Sequence, residues 1–159
     1  MKIGVISDTH GDVHSAREAV RLFQCLEVDQ VLHCGDIGSP EIVALFSDWP
    51  THFVYGNVDS PQYLDDVIRQ AGQTCHDHFG SIELDGRKIA FMHGHDTSLL
   101  EKSAKSGNWH IICHGHTHMA RHCTVGKTLV LNPGAIARTI YPSVAIIDLQ
   151  SLEVTPIRL

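Results

Sequence analysis

Short apolar runs alternate with segments of helical spacing along the first half of the chain. The runs are followed by glycine or aspartate, so each predicts a buried strand; they lie at residues 2–7, 31–34 and 52–55. The segments after them carry apolar residues at helical spacing and predict helices at residues 13–26, 40–46 and 61–71. This alternation of strand and helix predicts a parallel α/β unit with right-handed crossovers.

Hairpins dominate the second half of the chain. Asp85-Gly86 is a favoured two-residue turn between two apolar runs, and similar pairs of runs recur towards the C-terminus. The predicted strands are residues 81–84, 88–92, 110–113, 121–124, 128–131, 144–148 and 153–158, with one helix at residues 98–106. We therefore expect a single α/β domain over residues 1–159, with a second, mixed or antiparallel sheet packed against the first and helices outside.

Composition narrows the class of protein. The chain has 159 residues, 43% hydrophobic, which is enough for one domain with a sizeable core. A net charge of -6 argues against a broad nucleic-acid surface, and no stretch resembles a membrane span or a signal peptide. The five cysteines are odd in number and lack a C-x-x-C pair, so we expect reduced thiols in a cytoplasmic protein. Thirteen histidines exceed the twelve lysines and arginines, which points to a role beyond surface charge.

Seven polar residues follow directly after predicted strands. His116 and His118 are two apart, so in an extended segment both imidazoles point the same way. Any one of the seven, taken alone, is an ordinary turn or core residue. Because ligands bind beyond the carboxyl ends of the strands in α/β sheets, we expect all seven at one edge; they are Asp8, His10, Asp36, Asn57, His93, His116 and His118.

These oxygen and nitrogen donors predict a metal centre. Seven donors are too many for one tetrahedral zinc but suit two ions about 3.5 to 4 Å apart that share a carboxylate. Mixed imidazole and carboxylate ligands favour two divalent transition-metal ions, manganese first, with nickel, cobalt, iron or zinc as alternatives. The positive charge of two dications exceeds the negative charge of two aspartates and a bridging hydroxide, so the site should attract a small anion. A small phosphate ester, hydrolysed by the bridging hydroxide, fits best.

The same residues form motifs that resemble those of the calcineurin-like metallophosphoesterase superfamily. In chain order these are Asp8-Thr9-His10, Gly35-Asp36, Gly56-Asn57-Val58-Asp59, His93-Gly94-His95 and Gly115-His116-Thr117-His118. The small size and Asn132-Pro133-Gly134 resemble its YfcE-type phosphodiesterase branch, related to the small subunit of retromer. The resemblance implies a four-layer αββα sandwich with two mixed β-sheets. It also implies a division of ligands: Asp8, His10 and His118 on one ion, Asn57, His93 and His116 on the other, and Asp36 bridging.

One position departs from the pattern of the family. Many members carry a histidine after the glycine–asparagine pair that protonates the leaving group, whereas this chain has Val58. General acid catalysis is worth about 10² to 10⁴ in rate, so we expect a preference for good leaving groups. His95 is a candidate proton donor or phosphate contact, and the expected catalytic residues are Asn57, His95 and Asp36.

Two rivals to a phosphodiesterase stay open. The resemblance to the retromer subunit allows a non-catalytic, metal-binding scaffold that recruits partners, although a scaffold does not need all seven donors. A phosphomonoesterase or nucleotide pyrophosphatase would use the same site. The late hairpins are compatible with a homodimer. His76 and His78 form a further His-x-His pair outside the motif order, and we expect them to be solvated or at an interface.

Overall fold

The computed structural model describes residues 1–159 and contains four helices and eleven strands. The helices are α1 (Val13–Cys25), α2 (Pro40–Leu45), α3 (Pro61–Gln70) and α4 (Thr97–Lys105). The strands are β1 (Lys2–Ile6), β2 (Gln30–His33), β3 (Thr51–Phe53), β4 (Thr74–Cys75), β5 (Phe79–Leu84), β6 (Arg87–Met92), β7 (Ile111–Cys113), β8 (Arg121–Val125), β9 (Thr128–Asn132), β10 (Ser143–Asp148) and β11 (Val154–Arg158). No helix combines the length and apolarity that crossing a membrane would require.

The strands form two sheets. The first has six strands in the order β11-β10-β1-β2-β3-β4, and the second has five in the order β5-β6-β7-β9-β8. Three separate apolar clusters account for the packing: α1, α2 and α3 against the first sheet, the two sheets against each other, and α4 against the second sheet. These are the three interfaces of a four-layer sandwich, so the predicted α/β class with two mixed sheets flanked by helices is confirmed.

Strand β1 shows how the sequence builds these layers. Its side chains alternate, so Ile3 and Val5 face the second sheet while Ile6 faces the helices. Gly4 lies on the helix-facing side, where a Cβ would lie 2.9 Å from the ring of Phe23 on α1. The missing side chain lets α1 lie close to the sheet, which fixes where the loop after β1 begins.

The last hairpin lies in the first sheet. β10 pairs antiparallel with β1, with Lys2 opposite Asp148, and β7 pairs parallel with both β6 and β9. Both faces of β10 are buried, since Val144 and Ile146 join the helix-side cluster while Ala145 and Ile147 join the inter-sheet cluster. Burial on both faces is typical of an inner strand, and hairpin spacing alone could not assign β10 to its sheet. The two-residue strand β4 is too short to produce a pattern.

A pair of histidines joins β3 to the segment after β4. His52 Nδ1 lies 3.0 Å from His76 Nε2, and both rings pack edge-on against Phe91. His76 is therefore half-buried and hydrogen-bonded rather than solvated as expected, while His78 is exposed. Burial, reinforced by the charge of His76, lowers the pKa of His52 to about 4.

This shift predicts an acid-sensitive contribution to stability. Histidine titrates near pH 6.5 in an unfolded chain. Between pH 6.5 and about 4, His52 is therefore protonated in the unfolded state but neutral in the folded state. The free energy of unfolding contributed by neutral His52 is present above pH 6.5 and is lost as the pH falls towards 4. We expect His52→Gln to make the free energy of unfolding fall less steeply over this range, as measured by urea denaturation at each pH. His122→Gln, at an exposed position on β8, should keep the wild-type slope, and an unchanged slope in His52→Gln would contradict the assignment.

Candidate metal centre

Loops at the carboxyl ends of five strands supply the predicted donors. β1, β2 and β3 are mutually parallel, as are β6 and β7, so the loops after each set leave its sheet at one edge. The seven residues Asp8, His10, Asp36, Asn57, His93, His116 and His118 lie in the loops that follow these strands. The rule that ligands bind beyond the carboxyl ends of parallel strands therefore holds for both sheets.

Asp8, His10 and His118 form the first group of donors. Oδ1 of Asp8 lies 3.1 Å from Nε2 of His118 and 3.9 Å from Nε2 of His10. The three ligand atoms lie within 4.8 Å of one another, which is close enough to hold a single ion. Asp8 is fully buried.

Asp8, Asp36 and His93 form the second group. Oδ2 of Asp36 lies 3.4 Å from Nε2 of His93 and 3.5 Å from Nε2 of His10. Nε2 of His93 lies 4.0 Å from Oδ1 of Asp8, and all three ligand atoms fit within 4.8 Å. Asp36 is thus adjacent to a histidine of each group, and its carboxylate lies between them.

Three buried polar atoms at this site have no hydrogen-bond partner: Asp8 Oδ1, His10 Nε2 and His93 Nε2. A buried polar atom without a partner costs free energy, and native proteins usually satisfy such atoms. Here the three atoms face one another, and they are carboxylate and imidazole lone-pair donors of the kind that transition-metal ions prefer. The donor set fits divalent transition-metal ions.

Asn57, His116 and His95 lie at the solvent-exposed margin of the site. His116 is outside the two close groups; its ring centroid is 5.1 Å from that of His93, and its backbone N–H donates to Asp8 Oδ2. The ring centroid of His95 lies 5.7 Å from that of His93. The structure therefore brings five of the seven predicted ligands into two close groups, with His116 outside them. Asn57 precedes Val58, whose backbone N–H donates to Asp36 Oδ1 at 3.3 Å.

Left-handed backbone accompanies the donors. Asp8, His10, Asp36, His116 and His118 all have positive φ, between 44° and 71°. This region is uncommon for residues with a side chain, costs of order 1 to 3 kcal/mol each, and clusters at functional sites. Neighbouring glycines were visible in the sequence, but the strain at the donors themselves was not.

Hydrogen bonds fix the orientation of His93. Its Nδ1 lies 2.9 Å from the carbonyl oxygen of Cys34, and because a carbonyl can only accept, Nδ1 carries a proton and Nε2 faces the carboxylates. Burial disfavours the charged imidazole, but the adjacent Asp36 and Asp8 outweigh it, so the pKa of His93 is raised. At His10 burial prevails over Asp36 and the pKa is lowered.

Two residues outside the ligand set hold its loops together. Asp59 accepts hydrogen bonds from the backbone N–H groups of Ile37, Gly38 and Gly56, at 2.9 to 3.1 Å, and so ties the loop of Asp36 to the loop of Asn57. Asp59 does not cap the helix that follows it, because the N-cap of α3 is Ser60.

Asn132 serves the histidine loop in the same way. Its Nδ2 donates to the carbonyl of Gly115 at 2.8 Å and to Thr117 Oγ1 at 3.0 Å. Arg138 was not singled out in the sequence, because nothing in its pattern distinguishes it. Its positive charge is one of the causes that lower the pKa of His10, after burial.

Comparison with known proteins decides the family. Residues 1–152 match the calcineurin-like phosphoesterase superfamily domain. The chain belongs to the calcineurin-like phosphoesterase superfamily. A phosphodiesterase of Methanocaldococcus jannaschii is 34% identical over 162 residues, which cover 96% of each protein. A solved structure of an archaeal phosphodiesterase, also 34% identical, superposes over the full length of both chains with a TM-score of 0.89.

More distant members share the fold. YfcE, a phosphoesterase of E. coli, has a TM-score of 0.72 at 16% identity over 99% of this chain and 98% of its own. Vps29 from Entamoeba histolytica, solved with zinc, has a TM-score of 0.70 at 22% identity over 100% and 98% of the two chains. These matches confirm the predicted resemblance to the small phosphoesterases. The prediction of a metal-dependent phosphoric ester hydrolase is confirmed through the family.

Proposed function

We propose that this calcineurin-like phosphoesterase is a dinuclear, metal-dependent phosphodiesterase acting on a small phosphate ester. The observation that carries the proposal is the position of Asp36, whose Oδ2 lies 3.5 Å from His10 Nε2 and 3.4 Å from His93 Nε2. One carboxylate adjacent to a histidine of each group is the arrangement that two neighbouring ions require. The relative from Methanocaldococcus jannaschii is itself a phosphodiesterase, which supports this class of substrate.

The proposed division of ligands is the one that the family resemblance implies: Asp8, His10 and His118 would hold one ion, Asn57, His93 and His116 the other, and Asp36 would lie between them. The first of these sets coincides with one of the two close groups of donors, which supports the proposal. When bound, two such ions polarise phosphoryl oxygens and lower the pKa of water, which makes hydrolysis feasible at neutral pH. Manganese is the first choice, with nickel, cobalt, iron or zinc as alternatives.

Two exposed polar residues would also position the substrate. Asn57, besides its role at the metal, and His95 are exposed at the mouth of the site, where an amide and an imidazole can hydrogen-bond the phosphoryl oxygens. Val58 follows Asn57 and is 54% exposed. Its side chain has no group that can donate a proton, so this position cannot protonate the leaving group.

Dependence on the leaving group tests the role of Val58. We expect the rate for aryl phosphodiesters to fall steeply as the pKa of the leaving phenol rises. Val58→His should raise the rate for poor leaving groups by about 10²-fold, with a smaller gain for p-nitrophenol, because a general acid helps a basic leaving group most. Val58→Leu is the matched control without a proton. A flat dependence in the wild type would count against the proposal.

Hydrolysis of bis-p-nitrophenyl phosphate with added Mn²⁺ tests the activity itself, with His116→Ala as the impaired control. We expect turnover that requires the metal and that exceeds turnover of the monoester p-nitrophenyl phosphate. A faster monoester reaction would instead favour a phosphomonoesterase. An absence of turnover with all of the candidate ions would favour a metal-binding scaffold and contradict the proposal.

A further inference from the structure

A concavity with a volume of about 560 Å³ adjoins the candidate metal centre, and His118 belongs to both. This volume is within the range of small-molecule sites, roughly 300 to 1,000 Å³. Besides His118, its lining includes Met119, Tyr141 and Arg158, and it contains no acidic residue. The concavity therefore lies next to the proposed site of hydrolysis, and the charge of its lining is compatible with an anionic ligand.

An aromatic platform forms one wall of this concavity. The guanidinium carbon of Arg158, at the end of β11, lies 3.5 Å from the centroid of the Tyr141 ring. The backbone around the ring is held in place, since the N–H of Tyr141 donates to Thr139 Oγ1 and the N–H of Leu159 donates to the carbonyl of Pro142. Tyr141 remains 58% exposed and Met119 67% exposed, although both are large and largely apolar. A stacked guanidinium and phenol ring offer flat surfaces on which a planar group can stack.

We propose that this concavity binds a planar aromatic substituent of the phosphate ester, with the phosphoryl group at the metal centre. The proposal rests on the proposed function, because the aromatic group must be carried by a substrate whose phosphate is held beside His118. Charge supports the same occupant: the lining includes the cationic Arg158 and no acidic residue in a chain of net charge -6, so an anionic ester is attracted to this face. Tyr141 and Arg158 would thus be specificity-determining residues.

Three non-hydrolysable phosphonates separate stacking from simple apolar contact. Phenyl-, cyclohexyl- and methylphosphonate share one anionic head group, but only the phenyl ring can stack. The protein is loaded with diamagnetic Zn²⁺ and labelled with ¹³C at its three methionine methyl groups, of which only that of Met119 lies in the concavity. We expect phenylphosphonate to shift the Met119 resonance and to bind about 3- to 10-fold more tightly than cyclohexylphosphonate.

Matched variants assign that preference to the platform. Tyr141→Leu should abolish the preference for phenyl over cyclohexyl, and Tyr141→Phe should retain it. Tyr63→Leu, at a tyrosine of α3 that is equally exposed at 59%, should leave it unchanged. Equal affinity for the two phosphonates in the wild type, or a preference that survives in Tyr141→Leu, would overturn the proposal.

Three further outcomes are distinct. A Met119 resonance that moves with protein concentration and not with ligand would mark an interface between two copies and overturn the proposal. If no phosphonate binds and bis-p-nitrophenyl phosphate is not hydrolysed, the proposed function itself fails. Hydrolysis without a preference for the aromatic ligand would overturn only the aromatic site.

Discussion

Asp36→Asn is expected to lower the rate of phosphodiester hydrolysis by about 10³-fold or more, the loss expected when two ions no longer share a ligand. Asparagine keeps the shape of the side chain but loses the charge that faces His10 and His93. With one neutral amide between the two groups, we also expect at most one tightly held ion per chain. Metal content after dialysis, measured by mass spectrometry, reports this loss independently of turnover.

Asp65→Asn is the matched control for this substitution. Asp65 is a partly exposed carboxylate on α3 whose one ion pair is with Arg69, so its loss should change neither the metal content nor the rate. Thermal unfolding of both variants checks that the fold survives. Two ions and the wild-type rate in Asp36→Asn would remove the basis of the dinuclear proposal.

The positions of the donors were predictable because these polar residues come directly after apolar runs that predict strands. Asp8, Asp36 and His93 each lie within three residues after an apolar run, and parallel strands place the ends of those runs together. The two-sheet architecture followed from a change of pattern, from strand–helix alternation to hairpins. Which ion each donor serves came from the family resemblance, and that division remains a proposal.

Other features depend on pairings that leave no trace in the local sequence. The Tyr141–Arg158 stack depends on the register between β10 and β11, which places Ser143 opposite Arg158, and the sequence of the hairpin does not fix that register. The His52–His76 pair depends on β4, a strand of only two residues. Asp8 and Asp36 adopt left-handed backbone, which aspartate tolerates better than most residues, but the sequence does not show which of its aspartates do so.

Gly56→Ala tests how closely the loops after β2 and β3 surround the Asp36 carboxylate. A Cβ at Gly56 would lie 1.9 Å from Asp36 Oδ1 and 2.5 Å from the backbone N of Asp36, so both side chain and backbone would have to move. We expect the free energy of unfolding to fall by about 2 to 4 kcal/mol, since overpacking against backbone is not easily relieved. We also expect activity to fall by about 10²-fold as the carboxylate leaves its position between His10 and His93.

Gly126→Ala separates this overlap from the general cost of losing a glycine. Gly126 has a φ of 62° in the turn between β8 and β9, and nothing lies within 4 Å of an added Cβ, so only the left-handed conformation is penalised, by about 1 kcal/mol. Urea denaturation compares the two variants, and metal content compares their sites. If Gly56→Ala were no less stable than Gly126→Ala and kept both ions, the loops after β2 and β3 would be flexible enough to accommodate a methyl group. The close approach of the Gly56 backbone would then not be what holds Asp36 between the two groups of donors.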